Sequence, residues 1–401
     1  MSEKGKNKSE LQGLIHLIMD ATIGVTDLVE AVHKQVIQPP FLPSTTIQKL
    51  ITNIVGVTYN NIRWSTLFIG DNLNKVVAHI TPLVSKIKPS DKKEIIASVL
   101  NGVIGDYLEK KKNPLKINMQ FRHQSKAIKI DKKNIQKSYP NVTGKILLMI
   151  HGSCMSDIQW TRNNHNHGTI LSEELNKTLI YLNYNSGRHI STNGKELNTL
   201  LENLIKNWPV PIEELVIVAH SMGGLVTRSA IYYGEKQQLN WQKHLKKVAF
   251  LGTPHHGSPI ERIGNYLDII LKTIPYARPF AKLAKIRSAG VTDLRYGNLV
   301  DEDWLNKDRF ELKKDNRQNI SLQKNIAFFN IVAVTCKETN TKSIHLLGDT
   351  LVNVKSALGQ HKNANKNLLF KKENIWIAYE SNHLDLLSNP KILDKLKTWL
   401  G

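Results

Sequence analysis

The residues that could do chemistry gather around one serine. Ser221 lies in Leu215-Val216-Ile217-Val218-Ala219-His220-Ser221-Met222-Gly223-Gly224. A continuous apolar run breaks into small residues around a single hydroxyl and then resumes at helical spacing. That is the pattern of a nucleophile elbow: a buried strand, a strained turn that exposes Oγ, and a helix whose N-terminus faces the reaction. A serine hydroxyl alone is a weak nucleophile. It needs a base to take its proton, a carboxylate to orient that base, and donors for the oxyanion formed at an attacked carbonyl.

Each partner has a candidate further along or earlier in the chain. Ile146-Leu147-Leu148-Met149-Ile150 runs into His151-Gly152-Ser153-Cys154-Met155. A strand ending in His-Gly brings backbone N–H groups beside an elbow. The N–H groups of Ser153 and Met222 are the expected oxyanion donors, worth a few kcal/mol each in the transition state, roughly. His151, Gly152 and His220 are expected to line the pocket, with the His151 ring packed in its loop. The base is expected at His383, in Ser381-Asn382-His383-Leu384-Asp385. That loop follows the last strand pattern and precedes a closing amphipathic helix, where the chain order Ser, acid, His puts the imidazole. His255, His256, His345 and His361 all precede that strand. The acid is expected at Asp349, after Gly348, in preference to Glu338, Asp301 and Asp303; Asp385 is expected to cap the closing helix. A further run, Leu251-Gly252-Thr253-Pro254-His255-His256-Gly257, follows another strand, and Thr253, Pro254 and His255 are expected to border the pocket. No carboxylate stands at metal-ligand spacing from these histidines, so no metal is expected.

These loops need a frame. From Lys145 onward strand and helix patterns alternate. Strands are expected at residues 146–150, 179–182, 215–218, 248–251, 326–334 and 375–378. Unbroken apolar strands separated by helices predict a mostly parallel sheet covered on both faces. Two short strands, at 117–121 and 127–130, precede it. Helical spacing covers roughly 11–32, 44–55, 67–87 and 91–109, so residues 1–115 read as a helical N-terminal region. Residues 116–401 read as the α/β domain, with a helical lid inserted at about 258–323.

Composition narrows the setting. Of 401 residues 41% are apolar, enough for a large core, and there are only two cysteines, Cys154 and Cys336. That excludes a disulfide framework and fits a reducing compartment. The first ten residues carry no hydrophobic signal core, and no apolar run is long enough to cross a bilayer, which reads as a soluble, cytoplasmic chain. The net charge of +21 comes from 55 basic against 34 acidic residues. It reads as a solubilising surface or as attraction to an anionic membrane surface. No zinc, helix-turn-helix or RNP pattern accompanies it, so nucleic acid is not the expected partner.

Together His151-Gly152, the Ala219-to-Gly224 elbow, the Leu251-to-Gly257 run, the Gly348-Asp349 turn and Asn382-His383-Leu384-Asp385 resemble α/β-hydrolases of the lipase and GPI inositol-deacylase-like group. They look most like its soluble bacterial-type members. The resemblance covers about residues 145–401. It implies an α/β-hydrolase fold and ester hydrolysis without a cofactor, with Ser221, Asp349 and His383 as nucleophile, acid and base. Ala219 stands where relatives carry the first elbow glycine. Thr350 and Asn353 stand where they often carry glycine and proline. A carboxylic ester of a lipidic or medium-chain acyl group is the expected substrate. Acyl transfer or thioester cleavage by the same triad, and a membrane-surface scaffold without activity, are the alternatives.

Overall fold

The computed structural model describes residues 91–258, 269–271, 274, 287–309, 314–338 and 348–401. The helical stretches expected before residue 91 lie outside these, as does much of the lid expected at about 258–323.

One eight-stranded sheet organises the chain: β1 (Gln120–His123), β2 (Lys126–Ala127), β3 (Lys145–Ile150), β4 (Thr178–Asn183), β5 (Glu214–His220), β6 (Leu245–Leu251), β7 (Ala327–Ala333) and β8 (Ile375–Ala378), in the order β2-β1-β4-β3-β5-β6-β7-β8. From β4 to β8 every pair is parallel; β1 runs antiparallel to β2 and β4. The central strands are buried along nearly their whole length, as their unbroken apolar sequences require.

Helices α1 (Asp91–Lys110), α2 (Lys132–Ser138), α3 (His167–Glu174), α4 (Ile190–Lys206), α5 (Met222–Lys236) and α6 (Pro390–Leu400) surround it. The crossover from β3 to β4 moves one way along the sheet; those from β4 to β5 and from β5 to β6 move the other. Right-handed crossovers in opposite directions put α3 on one face and the packed pair α4 and α5 on the other. The direction reverses between β3 and β5, whose registers match Ile150 to Ala219. In open α/β sheets the crevice at such a reversal, outside the carboxyl ends of the strands, is where ligands bind. This is the α/β-hydrolase arrangement.

Two local outcomes differ from the sequence pattern. The first strand begins at Gln120 rather than Ile117. Asn101 of α1 causes the delay: its side chain accepts the Ile117 N–H at 2.9 Å and donates to the Leu115 carbonyl at 2.8 Å. That stretch is bonded to the helix before it reaches the sheet. The second strand is cut to two residues after a turn at Gln124 and Ser125, with φ of 47° and 60°.

Helix α1 also does not stand apart from the α/β core. Ile96, Val99, Leu100, Val103 and Ile104 are buried in the same apolar core as the sheet. A Cβ at Gly102 would lie 2.3 Å from Cys154 Sγ, so only glycine lets α1 approach the loop after β3 this closely. Asn185, after β4, donates to the Gly105 carbonyl at 3.0 Å. The helix thus rests on the loops at the carboxyl ends of β3 and β4. Among the described residues no helix is long and apolar enough to cross a membrane.

Candidate active site

Ser221 follows β5 directly and caps α5. Its backbone sits at φ 54°, ψ −125°, a region that a non-glycine residue enters only at a cost of about 1–3 kcal/mol. The surroundings hold it there. The Ser221 N–H donates to the Leu251 carbonyl at 2.8 Å, and the Ser221 carbonyl accepts the Gly224 N–H at 3.0 Å. Its side chain is buried, and Oγ has no hydrogen-bond partner among the described residues.

The candidate acid and base come from two loops 34 residues apart. His383 Nδ1 lies 2.6 Å from Asp349 Oδ2, and both side chains are buried. The His383 N–H also donates to the Asp349 carbonyl, at 3.0 Å. The other carboxylate oxygen, Oδ1, accepts the N–H groups of Leu351 (3.0 Å) and Val352 (2.8 Å). The carboxylate is therefore clamped from one side and faces the ring with the other. With Nδ1 committed to Asp349, Nε2 is left over; it too is buried without a partner among the described residues. These loops meet the elbow through Gly252, at φ 59°, the residue after Leu251. A Cβ there would lie 3.1 Å from Asp349 Oδ2, 3.3 Å from His383 Cε1 and only 2.5 Å from Leu386 Cδ1.

Two further contacts fix His383. His220 donates from Nε2 to the His383 carbonyl at 3.1 Å, and the two rings lie 4.7 Å apart. Burial, then the neighbouring His383, holds His220 well below the usual histidine range, so it stays neutral. Asp385 accepts the Asn382 N–H at 2.9 Å, and Asn382 accepts the N–H groups of Leu384 and Asp385. Asp385 therefore ties the His383 loop; the closing helix α6 is capped by Asn389 instead, which accepts the Lys391 N–H at 3.0 Å.

On the other side of the elbow, Gly152 lies against the Cβ of Ser221. Ser153 is buried beside Cys154, whose φ is 60° and whose N–H donates to Ser186 Oγ at 3.0 Å. Met222 is the first residue of α5, so its N–H has no partner inside the helix. The His151 ring is packed, stacked on Tyr184 at 4.3 Å; Nδ1 donates to the Gly152 carbonyl and Nε2 accepts the Tyr184 N–H. Burial pushes this imidazole down to about 4. Burial likewise pushes the Cys154 thiol up to about 12, so no thiolate competes with the serine.

The third loop divides. Thr253 packs its side chain against Gly224 in the first turn of α5, and the Pro254 carbonyl accepts the Gly257 N–H. His255 is fully buried between Phe250 (4.9 Å) and Phe370 (5.4 Å), in the field of Arg228 and Arg317. Its contacts are with β6 and that cationic cluster. Asp301 pairs with Lys195 at 2.6 Å, and Asp303 accepts backbone N–H groups of Leu299, Val300 and Gln318. His345 lies outside the described residues. Ser186 and the His220–His383 link escape sequence reading because nothing in the spacing joins those positions.

The profile of the PGAP1-like alpha/beta domain matches residues 141–361, more than half of the chain and inclusive of Ser221 and Asp349. Among solved structures, the mature lipase BlEst2 of Bacillus licheniformis is 16% identical, with a TM-score of 0.42, over 64% of this chain and 91% of that one. The esterase Pf2001 of Pyrococcus furiosus is 14% identical, with a TM-score of 0.37, over 65% of this chain and 83% of that one. No curated protein sequence matches the chain. With the reversal of the sheet, the strained serine and the profile all falling on the same segment, the chain belongs to the PGAP1-like alpha/beta domain family.

Proposed function

We propose that this protein is a serine hydrolase of carboxylic esters, acting through Ser221, His383 and Asp349. Two observations together carry the reading: a strained Ser221 whose Oγ has no hydrogen-bond partner among the described residues, and an imidazole whose Nδ1 lies 2.6 Å from a carboxylate while its Nε2 is left without one. His383 Nε2 takes the Ser221 proton as Oγ bonds to the ester carbonyl carbon. The carbonyl oxygen becomes an oxyanion, held by the N–H groups of Ser153 and Met222. Collapse of this intermediate breaks the ester C–O bond, and His383 returns the proton to the leaving alcohol. Water, deprotonated by His383, then attacks the acyl-enzyme, and a second collapse frees the acid and restores Ser221. Asp349 orients the ring and stabilises the imidazolium. Lipidic or medium-chain acyl esters are the proposed substrates.

The test is hydrolysis of p-nitrophenyl esters across a chain-length series, wild type beside Ser221→Ala. Turnover by wild type, peaking at medium chains and lost in the variant, is the expected result. Turnover that survives the substitution overturns the assignment of the nucleophile. A peak at acetate overturns the acyl-chain proposal alone.

A further inference from the structure

The positive charge is concentrated in one segment. Of the 55 basic and 34 acidic residues, residues 110–145 hold eleven basic and one acidic, so 36 residues carry +10 of the net +21. Three of the eleven are paired. Arg122 is buried with Asp157 at 2.7 Å and Glu94 at 3.1 Å, Lys116 meets Glu109, and Lys145 meets Glu213. The rest, Lys110 to Lys112, Lys126, Lys129, Lys132, Lys133 and Lys137, are exposed and form no ion pair among the described residues. The one carboxylate of the segment is committed elsewhere: Asp131 caps α2, accepting the Asn134 N–H at 2.9 Å and the Asn134 side-chain amide at 2.7 Å.

Five of these lysines belong to one edge of the sheet. β2 is the outermost strand, and both of its residues are exposed. Lys126 lies on it and Lys129 just after it. Helix α2 follows at once; it buries Ile135 and leaves Lys132, Lys133 and Lys137 in solvent. A lysine on an edge strand blunts edge-to-edge pairing, which accounts for Lys126. It does not account for four more beyond the strand. Like charges set this close repel one another, and a negative surface removes that cost.

The side chains select the kind of surface. Every exposed cation of the segment is a lysine, a hydrated point charge suited to diffuse attraction rather than to bidentate reading of bases. The segment's Phe121 and Tyr139 rings are buried, so neither is offered for base stacking. No large apolar side chain is exposed here for insertion into a bilayer. Strands lie about 4.8 Å apart, so β3, three places in from β2, stands roughly 15 Å from this edge, with the crevice just beyond it.

We propose that the β2–α2 edge docks on an anionic phospholipid bilayer through Lys126, Lys129, Lys132, Lys133 and Lys137, by charge and without insertion. Docking of this kind does not depend on the ester hydrolysis proposed above, because it is read by binding alone.

Vesicle flotation of the whole chain tests it. The vesicles are phosphatidylcholine alone or with about 30 mol% phosphatidylserine, in about 0.1 M sodium chloride. Wild type is compared with an edge variant, Lys126→Gln, Lys129→Gln, Lys132→Gln, Lys133→Gln and Lys137→Gln together. A control of equal net charge carries Lys236→Gln, Lys362→Gln, Lys371→Gln, Lys372→Gln and Lys391→Gln, all at exposed positions. Wild type and control should float with the phosphatidylserine vesicles only and be released by about 0.5 M salt. Each lysine near such a leaflet is worth about fivefold in partitioning, so the edge variant should bind about 100-fold or more weakly. Wild type that stays unbound, or floats equally with neutral vesicles, overturns the proposal. Equal losses in edge variant and control overturn it too, by assigning the binding to net charge. Wild type that binds a DNA duplex but no vesicle overturns the choice of partner. If the edge variant does not fold, Lys132→Gln, Lys133→Gln and Lys137→Gln together replace it, against Lys371→Gln, Lys372→Gln and Lys391→Gln, with a loss of about tenfold or more expected.

Discussion

Two histidine-bearing loops follow strands of the same parallel sheet, and their chemistry is opposite. After β8, His383 meets a carboxylate that takes its Nδ1 and leaves Nε2 without a partner among the described residues. After β6, His255 and His256 meet arginines. His256 is spent at both nitrogens: Nε2 donates to the Gly359 carbonyl at 2.9 Å and Nδ1 accepts from Arg317 at 2.5 Å. His255 has two ring nitrogens without a partner among the described residues, but burial, then the field of Arg228, opposes a proton on either. Residue type makes none of these a base. Burial and the groups that the fold sets beside each ring do.

The largest break in this comparison comes from exchanging ring for ring. His383→Ala should lower kcat for p-nitrophenyl ester hydrolysis by about 10³–10⁶-fold, while His255→Phe changes it by less than about threefold. Steady-state kinetics on the two variants check this; a comparable loss in both would dissolve the distinction. Next are the carboxylates. Asp349→Asn should cost about 10³–10⁴ in kcat, because the amide cannot support the imidazolium. Asp315→Asn should leave kcat nearly unchanged and lower the Tm, since it removes the carboxylate that pairs with Arg317, His361 and Lys366. A kcat loss in Asp315→Asn equal to that of Asp349→Asn would place both loops in the catalytic unit.

A smaller effect is read in stability against pH. Burial pushes His151 down to about 4, His167 and His256 down to about 3, and holds His220 and His255 well below the usual range. All five have folded values below that of the unfolded chain, near 6.5. The unfolded state therefore binds more protons in acid. Their contribution to stability is complete above about pH 6.5 and is lost as pH falls from there towards 4 and 3, by up to about 1.4 kcal/mol per pH unit for each group. Urea unfolding at pH 7.5 and 5.5 should differ by about 2 kcal/mol or more. Replacing His255 and His256 by Phe should flatten that slope without removing ester hydrolysis; an unchanged slope would mean those rings carry protons in the folded state.

The smallest effect concerns the turn that carries the acid. Thr350 sits at φ 84°, where a β-branched side chain is strained. Thr350→Gly should raise stability by about 0.5–1 kcal/mol, relief of strain outweighing the flexibility glycine adds to the unfolded chain. Differential scanning calorimetry checks it, with kcat unchanged. A fall in Tm would show that the turn draws more from the Thr350 side chain than the strain costs.

How much of this was legible follows from range. Residues 146–150 and 248–251 are continuously buried and wholly apolar, so they announce themselves locally. Ser221 and His383 could be put forward as candidates because their chain positions at strand ends are local facts. The start of β1 was not legible, since Asn101, sixteen residues earlier, captures Ile117. The role of Asp385 was misread for a similar reason: its carboxylate turns back to Asn382 rather than forward to the helix. The cluster of Arg228, His255, Arg317 and His361 joins four segments that no periodicity relates. Thr350 is the instructive intermediate case. The resemblance to lipase-like hydrolases puts it where relatives often carry glycine, and its positive φ of 84° supplies a physical reason.

The central claim, that Ser221 is a nucleophile activated by His383, is tested most directly by a fluorophosphonate probe on the folded protein, with the modified peptide located by mass spectrometry. The account expects stoichiometric labelling of Ser221 in wild type, none in Ser221→Ala and strongly slowed labelling in His383→Ala. Folded wild-type protein that takes up no probe, or takes it up equally well without His383, would contradict it.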